Sequence, residues 1–317
     1  MSEVERYSPQ QRAEWDDFVR ASRNGTFLFE RAYMDYHADR FEDFSLIVRD
    51  SKKRAIALLP ANRSGHGLVS HGGLTYGGFV VGSRTGAAHA LEAFEHSRQF
   101  LLESGISEWL YKPVPYIYHR EPADEDLYAL HRNGAGLVRR DVGACGRPAD
   151  LKFSSATRWW ITKAKKAGTT VEESDRFGDF WEVLEANLAE RHGIRPVHSL
   201  GEILLLHGRF PSQIRLFLAR REGAVVAGVV IYETSRVAHV QYSAATKDGM
   251  ELGAPCLIVG ELLKNWFVGK PWFDYGISTE DEGRSLNPGL QHFKEGFGLR
   301  ATVSDWYSVP LVGGGAS

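Results

Sequence analysis

The run "LQHFKEGFGLR" (290–300) sets a histidine and a lysine directly before two glycines. An ammonium such as Lys294 is suited to steadying developing negative charge or a phosphate. An imidazole such as His292 is suited to passing a proton to a leaving group. The competing readings are a lysine on a solvated helix face and a histidine half-buried in packing. Upstream, "DYGISTEDEGR" (274–284) is acidic and directly follows an aromatic strand pattern. Asp281, with Glu280 and Glu282, offers bases for an ammonium acceptor, and Ser278 and Arg284 offer polar contacts to a substrate. A solvated acidic turn would look the same. "ERHGIRPVHS" (190–199) gathers His192, Arg195 and His198 around a helix stop, more polar chemistry than a turn needs.

Further candidates lie in the first half. "SHGGLTYGGF" (70–79) puts His71 and Tyr76 among four glycines, which admit close approach of backbone to a ligand or simply build a wide turn. "YKPVPYIYHREPADED" (111–126) carries Tyr118 and His119. Its aromatic surface suits stacking on a sugar or base, or a seam between domains. "RWWITKAKKAG" (158–168) is basic beside paired tryptophans. It could meet nucleotide phosphates or an RNA, or be a solvated lysine face over buried rings. The sequence holds no metal-ligand spacing, P-loop or nucleophile elbow, so no metal is expected.

The elements that must position these residues are written twice. "FSLIVRDSKKRAIALLPANR" (44–63) reads as a hairpin turning at Ser51–Lys53, and "IRLFLARREGAVVAGVVIYE" (214–233) repeats it with a turn at Glu222-Gly223. A further strand follows each, "GLVSHGGLTYGGFVV" or "RVAHVQYSAAT", then a Gly-bearing loop and a helix with apolar residues at i, i+3, i+4 (87–105 or 253–267). An aromatic strand comes next, and from there the halves align without a gap. Arg132 falls on Lys294, an offset of 162 (294 − 132), and Gly134 and Gly136 fall on Gly296 and Gly298. Helical leaders precede both halves. Ser8-Pro9 opens the first, and the second is expected to be capped by Asp175 and stopped at Gly193. Each half is therefore β-β-β-loop-α-β-α-β, one α/β unit duplicated. Two unrelated domains of similar pattern would not be expected to share the ungapped glycines.

Composition sets outer bounds. The 317 residues exceed one comfortable core and suit two domains, expected at 1–150 and 151–317, the second carrying the catalytic elements. Hydrophobic residues make up 43% and charged residues 25%, with a net charge of −2, so DNA is not an expected partner. Two cysteines, a polar N-terminus without a signal-peptide core, and no apolar run near about 18 residues point to a cytoplasmic protein not inserted in a membrane.

This element order resembles the GNAT acyltransferase fold, and "HFKEGF" (292–297) is similar to the Tyr-x-Lys-x-Gly-Phe pattern at the end of the last GNAT helix, with His292 in the Tyr position. The tandem pair resembles the FemABX (peptidoglycan bridge-forming) transferases and the BioF2-like acetyltransferases, whose Phe-Lys before Gly-Phe is here Phe293-Lys294 and Gly296-Phe297. Acyltransferase-like proteins of bacterial surface-polysaccharide clusters also look similar, around "SHGGLTYGGF", "RPVHS" and "DYGISTEDEGR". The resemblance implies an α/β (α+β) fold of two GNAT-like domains, each a mixed, mostly antiparallel sheet flanked by helices. It implies an N-acyltransferase acting on the amine of a small acceptor: an amino sugar, nucleotide-linked sugar or amino acid derivative. Backbone N–H groups around Tyr242–Ala244 would meet the oxyanion, with Tyr242 also a candidate substrate contact.

A GNAT donor loop is usually Arg/Gln-x-x-Gly-x-Gly/Ala, presenting backbone N–H groups and a helix N-terminus to the CoA pyrophosphate. The corresponding "KDGMELGAPCL" (247–257) departs from that spacing, leaving Lys247, Gly249, Gly253 and Ala254 as candidates to hold an acyl-CoA donor. FemABX relatives use aminoacyl-tRNA instead, which makes tRNA the alternative donor and an amide or peptide bond the product. A third reading is a non-catalytic tandem module that binds a nucleotide-linked ligand. A cleft lined by 71–78, 112–119, 192–199 and 278–284 is the expected place for the acceptor.

Overall fold

A computed structural model describes residues 2–311, the side chains of Arg191 and His192 excepted. The order is β1 Glu3–Arg6, α1 Arg12–Ala21, α2 Arg31–Met34, β2 Glu42–Asp43, β3 Leu46–Arg49, β4 Ala55–Leu59, β5 Asn62–Ser64, β6 Gly67–Val69, β7 Val80–Val81, α3 Ala87–Glu103, β8 Glu108–Tyr111, α4 Glu125–Arg132 and β9 Gly136–Gly146. It continues with α5 Ser155–Lys166, β10 Thr170–Ser174, α6 Phe177–His192, α7 Leu200–Arg209, β11 Ile214–Arg221, β12 Ala224–Glu233, β13 Val237–Ala245, α8 Lys247–Leu252 and α9 Ala254–Glu261. β14 Trp272–Ile277, β15 Thr279–Glu280, β16 Ser285–Leu286, α10 Pro288–Glu295 and β17 Arg300–Pro310 complete it.

Two compact units result: Met1–Asp141 with Val303–Ser317, and Val142–Thr302. The division falls before residue 150, and the end of the last strand is counted with the first unit. The cause is pairing and burial: Tyr307–Pro310 of β17 run antiparallel to Tyr111–Glu108 of β8, and Val309 and Leu311 enter the core built around Trp109, Phe94 and Leu59.

In the first unit, apolar Leu46–Val48 and Ala57–Leu59 make the expected β3–β4 hairpin, in register Leu46↔Leu59. Asp50 closes its turn by accepting from the N–H groups of Lys52 (2.8 Å) and Arg54 (3.0 Å). The expected strand over 67–81 is instead two short strands in different sheets, β6 beside β5 and β8, and β7 beside β4. Between them the glycines serve close packing. A Cβ at Gly77 would lie 2.1 Å from the Ser70 carbonyl oxygen, and one at Gly73 would lie 2.1 Å from His37 Nε2.

In the second unit the strand order is β10-β11-β12-β13-β14-β9. The β11–β12 hairpin turns at Glu222-Gly223 as expected, with φ of 50° and 82°, the left-handed pair of a tight hairpin turn. Apolar side chains of alternate strand positions (Phe217, Val229, Ile231, Ala238, Val240, Phe273 and Tyr275) form one core with Ile258, Val259 and Leu262 of the helical layer. On the other face Gly228 lets α6 approach, since a Cβ there would lie 2.2 Å from the Phe180 ring. Two boundaries differ from expectation. Arg176, not Asp175, is the N-cap of α6, while Gly193 ends it at φ 64° as expected. The segment expected as a Gly-bearing donor loop is the helix α8, capped by Thr246 Oγ1 accepting from Gly249 N–H (3.0 Å). Left-handed Gly253 (φ 82°) separates α8 from α9, whose continuation widens into a π-turn at Leu262–Trp266.

Candidate functional site

The second unit contains a fork. β13 and β14 pair in parallel over only three positions, Val237↔Trp272, Ala238↔Phe273 and His239↔Asp274. Both strands then continue apart, β13 along β12 and β14 along β9 as far as Ile277↔Gly143. Two irregularities drive the separation: a bulge in the β12–β13 register between Val230 and Ile231, and Gly276 at φ 68°. Beyond His239, the β13 edge that faced β14 has no partner strand on that side among the described residues, which leaves backbone groups of the Tyr242–Ala244 segment beside the opening. Tyr275 reaches across it, its hydroxyl donating to Ser243 Oγ at 3.1 Å. Burial pushes the Tyr275 phenol up to about 12, so it stays a neutral donor.

Side chains alternate along a strand. Ala238, Val240, Phe273 and Tyr275 belong to the core, so His239 and Asp274 face the opposite side of the sheet. There His239 Nδ1 and Asp274 Oδ2 lie 2.8 Å apart, and Asp274 Oδ1 accepts from Gly276 N–H at 2.9 Å. Both residues are buried, 9% and 8% exposed. Neither stands out in the sequence. They are 35 residues apart, each inside an ordinary core-strand pattern, and only the brief parallel pairing joins them.

Lys294 also serves this fork. It is 1% exposed, and its Nζ donates to the carbonyl oxygens of Gly276 (2.9 Å) and Ile277 (2.6 Å). Burial lowers its pKa to about 8, against the opposing pull of the Asp274 carboxylate. Ser278 Oγ, next in the chain to Ile277, and Gln291 Oε1 are buried and take no partner among the described residues. The other residues singled out with Lys294 are not brought to it. His292 is exposed on another face of α10. Asp281, also exposed, lies in a turn where Asp281, Glu282 and Gly283 all have positive φ (49°, 52° and 85°). Glu280 is exposed and accepts from Asn287 Nδ2 (2.9 Å), and Arg284 is exposed.

Tyr242 and His198 do meet: the phenol oxygen lies 2.5 Å from His198 Nδ1 and accepts from His198 N–H at 3.2 Å. Arg195 is exposed, and the side chain of His192 lies outside those described. In the first unit, Tyr76 and Tyr118 pack ring on ring at 4.4 Å, and the Tyr76 hydroxyl donates to Thr26 Oγ1 (3.0 Å). His119 Nε2 lies 3.0 Å from the Val114 carbonyl oxygen, with its pKa lowered by burial. His71 is buried at φ 50° against the His37 ring, and burial pushes it down to about 3.

The proposed donor-binding glycines are occupied by packing. A Cβ at Gly249 would lie 2.0 Å from the Val226 carbonyl oxygen, and one at Gly253 would lie 2.8 Å from that of Trp160. Ala254 is fully buried, and Lys247 is exposed in an ion pair with Glu190 at 2.9 Å. At both glycines the side of the Cα that lacks a side chain faces protein atoms. Among the described residues no group of three or more His, Cys, Asp or Glu gathers to hold a metal, and no helix is long and apolar enough to cross a membrane.

A mixed sheet forked between parallel strands, preceded in the chain by a first unit that likewise runs from a strand hairpin through helix, strand and helix to a last strand, defines a tandem GNAT-like fold of the FemABX type. Solved structures agree. FemX superposes with a TM-score of 0.68 at 13% identity, over 97% of this chain and 97% of that one. L-PGS from Bacillus licheniformis gives 0.62 at 14% identity, over 98% and 94%. A tandem GNAT protein from the clavulanic acid biosynthesis pathway gives 0.51 at 10%, over 99% and 100%. No protein-family model and no curated protein matches the chain in sequence. At these identities the likeness is one of fold.

Proposed function

We propose that the protein is an N-acyltransferase that joins an activated acyl group to the amine of a small acceptor at the fork of the second unit. An amino sugar, a nucleotide-linked sugar or an amino acid derivative fits this role, in keeping with surface-polysaccharide or cell-wall chemistry. The observation that carries the reading is the β13–β14 fork, which combines an open strand edge with the His239–Asp274 pair and buried Lys294. Acyl transfer to an amine needs donors for the oxyanion, a group to move the proton, and exclusion of water. Backbone N–H groups of Tyr242–Ala244 serve as the first, and attack is direct, without a covalent enzyme intermediate. Ser278, Tyr242 and His198 serve the acceptor side in this reading, and the exposed His292 and Asp281 are given no catalytic role in it.

Two donors compete. Acyl-CoA is the usual donor of the GNAT fold, whereas aminoacyl-tRNA is the donor of FemABX relatives. The deciding experiment offers acetyl-CoA and alanyl-tRNA in turn with a panel of amino sugars, nucleotide-linked amino sugars and amino acids. Amide formation from acetyl-CoA assigns the thioester route, and RNase-sensitive formation from alanyl-tRNA assigns the other. Saturable binding of a nucleotide-linked sugar with no product from either donor would replace the enzyme reading with a binding module.

A further inference from the structure

We infer that His239 is the general base of the transfer, with Asp274 as its positioning residue. The inference rests on the transferase reading and adds His239, which no motif supplied, and Asp274, which opens the 274–284 stretch but had no role assigned there. Asp274 Oδ2 takes the Nδ1 side of the ring at 2.8 Å, and Asp274 is itself fixed by Gly276 N–H at 2.9 Å. A carboxylate at Nδ1 holds the proton there and leaves Nε2 with its lone pair. No described residue hydrogen-bonds Nε2. The pair is the last rung before the parallel strands part, so the ring lies at the root of the opening. A side chain at position 276 would stand 3.5 Å from His239 Cε1, and glycine keeps that edge of the imidazole clear.

The first unit supplies an internal comparison. Two residues past the pair Val237↔Trp272 stand His239 and Asp274, and two residues past the matching pair Val69↔Leu110 stand His71 and Lys112. Ser70 N–H continues that ladder by donating to the Leu110 carbonyl (2.9 Å). The histidine thus recurs, but a lysine replaces the carboxylate. Lys112 Nζ is committed to the Leu74 carbonyl, and His71 Nδ1 is buried without a partner among the described residues. One copy has the carboxylate that orients an imidazole for proton transfer, and the other has a cation that opposes its charging.

The step balances. The neutral amine nitrogen bonds to the acyl carbon, and Nε2 takes the proton that nitrogen sheds. The bond from acyl carbon to thioester sulfur or ester oxygen then breaks, and the imidazolium returns the proton to that leaving atom.

Two measurements test this on the full chain. Imidazole ¹H–¹⁵N spectra of the wild type, without any substrate, should show His239 protonated at Nδ1 and bare at Nε2. Asp274→Asn turns an amide N–H toward Nδ1 and should move the proton to Nε2 in a folded protein. With whichever of acetyl-CoA or alanyl-tRNA is turned over, His239→Gln should lower kcat by about 10²–10⁴-fold and leave KM within about twofold. Asp274→Asn should share that split, and Asp274→Glu should recover part of the rate. A merely structural tie between strands would lower stability without separating kcat from KM. A wild-type kcat in His239→Gln, or a wild-type ring protonated at Nε2, overturns the inference while the transferase reading stands. Should the wild type make no amide from either donor, that reading fails and the base falls with it.

Discussion

Lys294 keeps its ammonium almost out of water, and its proton balance becomes a measurable property of the fold. Its pKa of about 8 lies below the 10.5 of an exposed lysine, so the unfolded chain takes up the proton first as pH falls. The lysine's contribution to stability is therefore least below pH 8, rises from 8 to 10.5, and is flat above. Wild-type stability minus that of Lys294→Met should grow by about 3 kcal/mol across that window in urea titrations, and a constant difference would contradict the buried environment. On turnover, Lys294→Met should lower kcat by about a hundredfold or more, with a smaller change in KM. Arg132→Met should leave both unchanged, because the Arg132 side chain is 52% exposed and only 3.9 Å from Glu95. The contrast between the two positions was legible in sequence, since the glycines align while the residues before them differ. The His239–Asp274 pair was not legible, because strand alternation says which face a residue takes but not which distant residue will be its neighbour.

At the scale of elements, the fork depends on one left-handed residue. Gly276→Ala would place a Cβ residue at φ 68°, at a cost of about 1–2 kcal/mol. The new Cβ would stand in ordinary contact with His239 Cε1 at 3.5 Å, so the urea midpoint should drop with little change in kcat, and an unchanged midpoint would remove Gly276 from the account. Gly253→Asp would be a poor probe of donor binding. Its side chain would collide with the Trp160 backbone at φ 82°, so the expected result is loss of folded protein whatever the donor. The hairpins were legible because apolar runs flank short polar turns, and Glu222-Gly223 supplies the required conformation. α8 was hidden because Gly249 inside "KDGMEL" reads as loop, whereas here its missing side chain lets the helix press on Val226. The broken strand at 67–81 was hidden for a related reason: its glycines answer to contacts with Ser70 and His37, which are matters of packing and not of local preference.

For the whole molecule, the pairing of β17 with β8 makes the first unit depend on chain from the far end of the sequence. A chain stopped at Thr302 loses Val309 and Leu311 from a core that includes Trp109 and Tyr111. Hydrogen exchange should then be fast in β8 and α3 and still slow in β12 and β13, and equal loss of protection everywhere would mean that the units fold only together. The same strand has a consequence for synthesis. During translation the first unit is spelled out early yet lacks an edge until residues beyond 302 emerge, whereas the second has all its strands by then. Long-range closure is slow and exposes apolar surface while it waits. The half made second should thus be the first to resist protease on stalled nascent chains, and the half made first should need shelter until the last strand arrives.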